Sequence, residues 1–210
     1  MPDGVLNAEN YKTFKKSLAD SGCELCTLSV HRTRLVVDRG NPAAKVLFIG
    51  EAPGENEDLA GKAFVGRSGK LLDEMLAEMG FDTNRDALIV NVVKCRPPKN
   101  RAPFREEAEA CRPFLKRQIE LVQPRLIALL GKTALKHLLP ENKDFPMADQ
   151  AGRCFRHPAY PGTDLMVLFH PAYILRDPRK KPLMARHLKA LKDFWRLNIK
   201  DRQNERRIIE

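Results

Sequence analysis

The chain has 210 residues, of which 43% are hydrophobic and 30% charged, a balance typical of a globular protein with one sizeable core. No apolar run approaches the roughly 20 residues that cross a bilayer, and residues 1–10 lack the order of a secretory signal. These features argue against membrane and exported proteins and predict a cytoplasmic location. The net charge of +10 favours a polyanionic partner, with nucleic acid first.

Apolar runs and helical periodicity alternate along the chain. Strands are predicted at 35–37, 46–49, 87–93, 126–130 and 165–169. Helices are predicted at 7–19, 68–79, 105–122, 133–139 and 182–197. Pro113 is expected to start or kink a helix. Apolar strands that alternate with helices indicate an α/β fold with a parallel sheet covered on both faces, an α/β/α sandwich. We expect one domain over residues 1–200 and a charged tail at 201–210.

The loop after the strand at 46–49 is acidic although the protein is basic. Four carboxylates follow this strand within eight residues: Glu51, Glu55, Glu57 and Asp58. The loops at the carboxyl ends of parallel strands form the ligand crevice of open α/β sheets. Asn91 and His170 lie at the ends of two other predicted strands, at the same edge. The sequence therefore predicts a functional site there.

Four of the five cysteines suit a four-thiolate site, since an odd number in a chain without an export signal argues against disulfides. They are a C-x2-C pair, one residue at a strand end and one in the next helix: Cys23, Cys26, Cys95 and Cys111. Such a site holds zinc or an iron–sulfur cluster, and the spacing barely separates the two. The alternative is buried structural thiols. Cys154 fits no pair and is expected to be a core thiol.

Two glycine-rich segments fail as phosphate loops. Gly131-Lys132-Thr133 lacks the earlier glycine, because Leu126 occupies its position. Residues 66–70 continue into Leu71, where a phosphate loop has the Ser or Thr that binds magnesium. A nucleotide triphosphatase is therefore not expected. A second His-Pro-Ala-Tyr segment begins at His157, which we interpret as an exposed loop residue because its flanks are charged.

Several motifs in this order and spacing resemble a family 4 uracil-DNA glycosylase, the iron–sulfur type. They are residues 51–66, residues 91–98, the four cysteines and residues 170–172, and the resemblance extends from Cys23 to about Arg176. It implies a central four-stranded parallel sheet. It also implies a [4Fe–4S] cluster, in preference to zinc, on Cys23, Cys26, Cys95 and Cys111.

The resemblance also implies how the flipped base is recognised. Phe64 would stack on uracil, and the Asn91 amide would pair with the adjacent donor and acceptor of the uracil edge. Glu57 would lie against carbon 5, where the methyl group of thymine would collide. Ala52 belongs to the same uracil-binding set.

Catalysis would depend on His170 and Glu51. Uracil leaves with negative charge, and His170 would hydrogen-bond the developing oxyanion. Glu51 would orient the pocket or the water, or stabilise the cationic sugar. Better-known uracil glycosylases have an Asp where this chain has Ala52, and the sequence leaves open whether Glu51 replaces it. Covalent-trapping relatives carry a reactive His in an inserted basic loop, and residues 96–101 contain none, so turnover is expected.

DNA binding is expected to use two groups of side chains. An apolar wedge would fill the gap left by the flipped base, and cations would contact phosphates. The wedge is Tyr173, Ile174 and Leu175, and the cations are Arg176, Lys99 and Arg101. The partner would be single- or double-stranded DNA that contains uracil, bound by a monomer. Ile174 and Leu175 could equally start a core helix.

Two other functions compete with base-excision repair. The first is a non-catalytic iron–sulfur module that binds DNA during replication or repair. The second is a redox protein, which the basic surface and the base-sized pocket disfavour.

Overall fold

The computed structural model describes residues 3–142 and 145–200. In this part of the chain, a six-stranded sheet lies between two layers of helices. The strands are β1 (Arg39–Gly40), β2 (Val46–Gly50), β3 (Ala87–Asn91), β4 (Leu126–Leu130), β5 (Cys154–Arg156) and β6 (Asp164–Leu168). The α-helices are α1 (Asp3–Leu6), α2 (Tyr11–Asp20), α3 (Glu55–Ala60), α4 (Arg67–Ala77), α5 (Thr83–Asp86), α6 (Arg105–Val122), α7 (Lys132–Leu138), α8 (Met147–Gln150), α9 (Pro171–Arg176) and α10 (Lys181–Trp195).

The strand order is β1-β3-β2-β4-β6-β5, and the four central strands are parallel. The predicted parallel sheet is therefore confirmed. Two short antiparallel strands, β1 and β5, extend its edges. They escaped prediction because β1 has two residues and β5 alternates exposed and half-buried positions, so neither has an apolar run.

Alternate residues of each central strand face opposite helix layers. In β2, Leu47 and Ile49 pack on the side of α2, α6 and α7, whereas Val46 and Phe48 pack on the side of α4 and α10. All of these strand side chains are fully buried. The three-layer α/β/α arrangement follows from this two-sided burial, and it brings the carboxyl ends of β2, β3, β4 and β6 to one edge.

Two local predictions need correction. Residues 35–37 form no strand: Val36 donates one backbone hydrogen bond to Lys94 beyond the end of β3, and one bond makes no ladder. The helix predicted at 7–19 begins only at Tyr11, because the Asn10 side chain accepts from the Thr13 amide and caps α2 there. Pro113 lies inside α6, which continues to Val122, so of the two expectations for this residue only the start of a helix is excluded.

A buried polar cluster connects helix α2 to Asp38, the residue before β1, and to helix α6. The Tyr11 hydroxyl donates to Asp38 at 2.9 Å and accepts from Gln118 at 3.0 Å. Lys15 pairs with the other Asp38 oxygen at 2.6 Å. Burial, with the charge of Asp38 second, raises the pKa of Tyr11 well above its usual value, so the phenol stays protonated as a donor. The cluster fixes where the cysteine segment that follows α2 begins.

No helix in the described ranges has the length and apolarity of a membrane span. The charged tail predicted at 201–210 lies outside the described residues, and the single domain over 1–200 stays a prediction.

Candidate active site

A cleft of about 750 Å³ opens at the carboxyl edge of the four parallel strands. The loops after β2, β3, β4 and β6 line it together with the start of α4. It contains these predicted residues: Glu51, Ala52, Glu57, Phe64, Asn91, Arg101, His170, Tyr173 and Arg176. The strand ends therefore bring together the base-recognition and catalytic residues that the sequence analysis named, as the topology of an open sheet requires.

Asn91, the last residue of β3, is the most informative side chain in the cleft. It is 1% exposed, and neither Oδ1 nor Nδ2 has a hydrogen-bond partner among the described residues. A buried polar group without a partner costs about 1–3 kcal/mol, and this amide has two such atoms. Since Asn91 lines the cleft, the arrangement favours a ligand that offers a donor beside an acceptor.

Phe64 packs against Asn91 because Gly50 leaves room for both. A Cβ on Gly50 would lie 2.5 Å from the Phe64 ring and 2.5 Å from Asn91 Oδ1. Phe64 itself has a left-handed backbone with φ of 53°, a strained conformation for a large L-residue. Its carbonyl also contacts Gly69, where a Cβ would lie 1.8 Å away. Two glycines thus hold a buried aromatic ring against the floor of the cleft.

His170 caps α9 and keeps a defined tautomer. Its Nδ1 accepts a hydrogen bond from the Ala172 amide at 3.1 Å, so the neutral ring carries its proton on Nε2. Burial, and then the charge of Arg176, lowers the pKa of His170 to about 4. The ring therefore stays neutral at physiological pH and offers an N–H donor. Its centroid lies 5.9 Å from that of Phe64.

Glu57 staples the acidic loop. One carboxylate oxygen accepts from the Gly54 amide at 3.1 Å and the other from the Gly66 amide at 2.6 Å. These bonds cap α3 and connect it to the start of α4. Glu57 lines the cleft as predicted, and its carboxylate is held rigidly by backbone donors.

Glu51 and Ala52 follow β2 directly and are half-buried. The chain beyond β3 is tied to this loop, because the Val93 amide donates to the Glu51 carbonyl at 3.3 Å. Glu51 lines the cleft together with His170, Asn91 and Phe64.

The remaining two acids of the loop have structural partners that sequence reasoning missed. Asp58 is 2% exposed and accepts hydrogen bonds from the backbone amides of Thr33 and Arg34. Glu55 pairs with Arg96 at 3.2 Å. The apparent cluster of like charges is therefore divided among separate partners. No local signal could reveal this, because the partners of Asp58 lie 24–25 residues away in the chain.

The predicted apolar wedge is only partly available. Ile174 is 2% exposed and belongs to the core beneath α9, so its assignment to the wedge is wrong. In a single helical turn, one of three successive residues must face the sheet. Tyr173 and Leu175 are half-buried, and Tyr173 lines the cleft beside Phe169, with ring centroids 5.5 Å apart.

The residues predicted to contact phosphates also differ in how available they are. Arg176 is exposed at the cleft, and Lys99 is exposed but does not line it. Arg101 does not fit a free phosphate contact, because its guanidinium forms two hydrogen bonds to Glu107, at 2.7 and 2.8 Å, and lies 3.7 Å over the Phe104 ring. The carboxylate of buried Glu107 holds this cation in place.

Two cations that the sequence analysis did not assign to DNA also line the cleft. Arg67 begins α4 and Lys132 begins α7. They belong to the two segments rejected as nucleotide-triphosphate loops, and that rejection does not concern contacts with the phosphates of DNA. Both are therefore available for a polyanion.

The four predicted metal ligands line one small cavity. Cys23 and Cys26 approach it from the N-terminal segment, Cys95 from the chain after β3 and Cys111 from α6. Among the described residues, no three His, Cys, Asp or Glu side chains are grouped so that they could hold a metal ion. The chemistry of the donor set, four thiols around one apolar cavity, nevertheless fits a four-thiolate group.

The cavity favours protonated thiols. Burial raises the pKa of Cys95 to about 11 and that of Cys111 to about 12.

Cys154 lies elsewhere, on the edge strand β5, and it is exposed, so the prediction that it is a core thiol is wrong. His157 was also placed wrongly: its side chain is 18% exposed, and its Nε2 lies 2.9 Å from Glu141.

Comparison with known proteins agrees with this geometry. The model of the uracil DNA glycosylase superfamily matches residues 37–196. A type-4 uracil-DNA glycosylase of Thermotoga maritima is 43% identical over 155 residues, which are 74% of the chain and 79% of the relative. One of Pyrobaculum aerophilum is 42% identical over 159 residues, 74% and 81% of the two chains. One of Sulfurisphaera tokodaii is 37% identical over 177 residues, 82% and 80%.

The family match covers the whole sheet from β1 to β6 and every cleft residue discussed above. The first two cysteines lie before it, and the chain covers about four fifths of each of these relatives. By both sequence and site geometry, the chain belongs to the uracil DNA glycosylase superfamily.

Proposed function

We propose that the protein is a DNA-repair enzyme that flips uracil out of DNA and hydrolyses its N-glycosidic bond, leaving an abasic site. The buried and unpaired amide of Asn91 is the observation that carries this function. The names of its relatives, type-4 uracil-DNA glycosylases, support the same activity.

Recognition depends on the pattern of donors and acceptors. Uracil offers its N3–H beside the O4 carbonyl, which satisfies Asn91 Oδ1 and Nδ2 together. Cytosine reverses this pattern and leaves both amide atoms unpaired, at about 1–3 kcal/mol each. Phe64 stacks on the base. Glu57, stapled between Gly54 and Gly66, forms the wall at carbon 5, where the methyl group of thymine would collide.

Catalysis uses a neutral His170. As the glycosidic bond breaks, negative charge develops on the leaving uracil, and the Nε2–H of His170 donates to its oxygen. A neutral His170 can donate this hydrogen bond because the Ala172 amide donates to Nδ1, which leaves the ring proton on Nε2. Positive charge develops on the sugar, and Glu51 stabilises that charge or orients the attacking water.

An oligonucleotide with a single uracil tests this function. Incubation with the protein and then alkali should cleave the strand at the uracil position. Intact strands at high protein concentration would refute the enzyme and favour the competing non-catalytic DNA-binding module.

Substitution of Asn91 tests the base reader itself. Asn91→Ala should slow excision by about 100-fold or more, while affinity for abasic DNA changes less than about threefold. Exposed Asn84, in α5 before β3, provides the control Asn84→Ala, which should do neither. Equal losses of excision and DNA affinity in Asn91→Ala would contradict the proposed role.

We also propose that Cys23, Cys26, Cys95 and Cys111 hold a [4Fe–4S] cluster. The common cavity and the four-thiol donor set support it, as does the resemblance to the iron–sulfur type. When bound, the cluster crosslinks the N-terminal segment, the chain after β3 and helix α6. Broad visible absorbance of the purified protein would support the cluster, and a colourless protein that holds zinc would contradict it.

Loss of one ligand should destabilise the fold. Cys95→Ala should lower the stability by about 3–5 kcal/mol, or roughly 10 °C in melting temperature, with loss of the visible absorbance. Exposed Cys154 supplies the control, since Cys154→Ala should keep both. Unchanged melting and full metal content in Cys95→Ala would remove it from the ligand set.

Exposed cations around the cleft bind the phosphates of the DNA. Arg176, Arg67 and Lys132 are the candidates at the cleft, with Lys99 outside it. Binding should weaken steeply with salt. A monomer and a cytoplasmic location stay predictions.

A further inference from the structure

An exposed aromatic ring lies beside the cleft, at the end of the Pro-rich basic loop. Phe104 is 57% exposed, and it is the only aromatic side chain of the described residues that is largely exposed. It directly precedes α6. Arg101, which lines the cleft, has its guanidinium 3.7 Å from the centre of the Phe104 ring. The ring is therefore one side chain away from the cleft.

Arg101 covers one face of this ring and is itself held in place. Its guanidinium donates to both carboxylate oxygens of Glu107, at 2.7 and 2.8 Å, and the Glu107 side chain is only 4% exposed. The same carboxylate accepts from the Phe104 amide at 2.7 Å. Glu107 thus fixes both the cation and the backbone that carries the ring. Because the guanidinium occupies one face, the exposed area of the ring lies on its opposite face and its edge.

The loop that leads to Phe104 is also fixed to the wall of the cleft. Arg96 donates to the Asn100 side chain at 2.8 Å and to Glu55, in the acidic loop, at 3.2 Å. Within the loop, Lys99 and Asn100 both have a left-handed backbone with φ of 55°. Such a conformation is strained for a residue other than glycine, and it persists where the surrounding structure imposes it. The ring therefore keeps a defined position relative to the cleft.

The charge around the ring favours a polyanion. Residues 96–105 contain four cations and no acid. DNA offers phosphates that such a segment attracts, and it offers flat bases that stack on an aromatic ring whatever their identity. In a duplex the bases are held by pairing and stacking, whereas in a single strand they can turn onto a protein ring. An unpaired base is therefore the group that fits this surface best.

We propose that Phe104 is a stacking platform for an unpaired base of the DNA strand, next to the flipped uracil. This platform rests on the proposed binding of uracil-containing DNA, and stacking itself needs no catalysis. It adds a contact that paired DNA does not make. The protein therefore gains affinity for uracil in single-stranded DNA through a residue outside the uracil pocket.

Binding to DNA that carries a stable abasic analogue tests the platform without excision. Phe104→Leu keeps an apolar side chain and loses the aromatic face. It should weaken binding to the single strand about tenfold and binding to the duplex less than about threefold. Phe104→Trp should bind the single strand at least as tightly as the wild type. Leu59→Ala is the matched control, since Leu59 in α3 is 58% exposed and does not line the cleft, and it should change neither affinity.

A photochemical probe identifies the residue that stacks on the base. Single strands with 5-iodocytosine on either side of the abasic analogue are irradiated in the complex, because a halogenated base cross-links to an aromatic ring stacked on it. The wild type should cross-link at Phe104, and this adduct should be absent from Phe104→Leu. The wild-type cross-link decides the question even if the substituted protein does not fold.

Three results would overturn the platform: cross-links at Tyr173 alone, unchanged single-strand affinity in Phe104→Leu, or equal losses for single strand and duplex. A wild type that shows the Phe104 cross-link but leaves uracil in place would instead refute the proposed excision and keep the platform.

Discussion

The two His-Pro-Ala-Tyr segments, at 157–160 and 170–173, have the same sequence and share two hydrogen bonds, although only the second begins a helix, α9. In each, the His Nδ1 accepts from the amide two residues later, at 3.2 Å for His157 and 3.1 Å for His170. In each, the Tyr amide donates to the His carbonyl, at 3.0 and 2.8 Å. Only the second segment lies in the cleft. The sequence of the segment therefore determines the turn and the His tautomer. It does not determine whether the segment lies in the cleft.

Strand direction accounts for the difference. His170 follows β6, which is parallel to its neighbour β4, and so lies at the carboxyl edge. His157 follows β5, which runs antiparallel, and Arg156 at the end of β5 pairs with Asp164 at the start of β6. The first segment is therefore carried to the opposite edge, where His157 meets Glu141.

Removing each histidine tests this comparison with the largest expected effect. His170→Ala should slow uracil excision by about 100-fold, because the oxyanion loses its donor. His157→Ala should change the rate by less than about twofold. Single-turnover excision with saturating protein measures both. Similar losses in the two variants would show that the shared turn, and not the cleft, carries the effect.

The pH dependence of His170 sharpens the same comparison. Its pKa is lowered to about 4, so the neutral donor persists above that pH. Excision should therefore show no His170 limb between pH 5 and 8 and should fall as the pH drops through about 4. Because the unfolded chain binds this proton first, near pH 6.5, the stability should decline between about pH 6.5 and 4, by at most about 3 kcal/mol.

The chemical shifts of the His170 ring protons in an NMR pH titration measure that pKa directly. Arg176→Ala removes the second cause of the lowering, so the midpoint should rise, and burial should still keep it below the ordinary value. A His170 midpoint near 6.5 in the wild type would contradict a buried neutral donor.

The tyrosines of the two His-Pro-Ala-Tyr segments should differ in DNA binding. Tyr173 lines the cleft, whereas Tyr160 lies in a different surface pocket, beside Arg125. Tyr173→Ala should weaken binding to abasic DNA about tenfold, since it removes the aromatic part of the wedge. Tyr160→Ala should alter melting and leave DNA affinity unchanged. Fluorescence anisotropy at fixed salt would reveal equal affinities if Tyr173 made no contact.

The smallest effect is expected at the contact between His157 Nε2 and the Glu141 carboxylate. Glu141 is 55% exposed on its side chain, so the pair is screened by solvent. Glu141→Gln should change the free energy of unfolding by about 0.5 kcal/mol or less and should not change excision. Urea unfolding measures the first, and a loss above about 1 kcal/mol would mean that this turn is a stability element.

Much of the fold and of the site was predictable because the signals are local. Apolar runs predicted the central strands, and residues at their ends, such as Asn91 and His170, could be assigned to one edge before any contact was known. The wrong assignments share a different cause. Ile174 is buried by the rotation of a short helix, and Arg101 is engaged by Glu107, so availability depended on neighbours that a motif does not name.

The sequence by itself determined the alternation of strands and helices, the set of four cysteines and the residue types at the strand ends. Only the tertiary structure decided which of two identical His-Pro-Ala-Tyr segments enters the cleft and which acid holds the loop. The physical reason is the distance along the chain over which each kind of interaction acts. Periodicity and turn chemistry act over a few residues, whereas burial and hydrogen-bond partners, such as Asp58 with Thr33, depend on distant segments that meet only when the sheet forms.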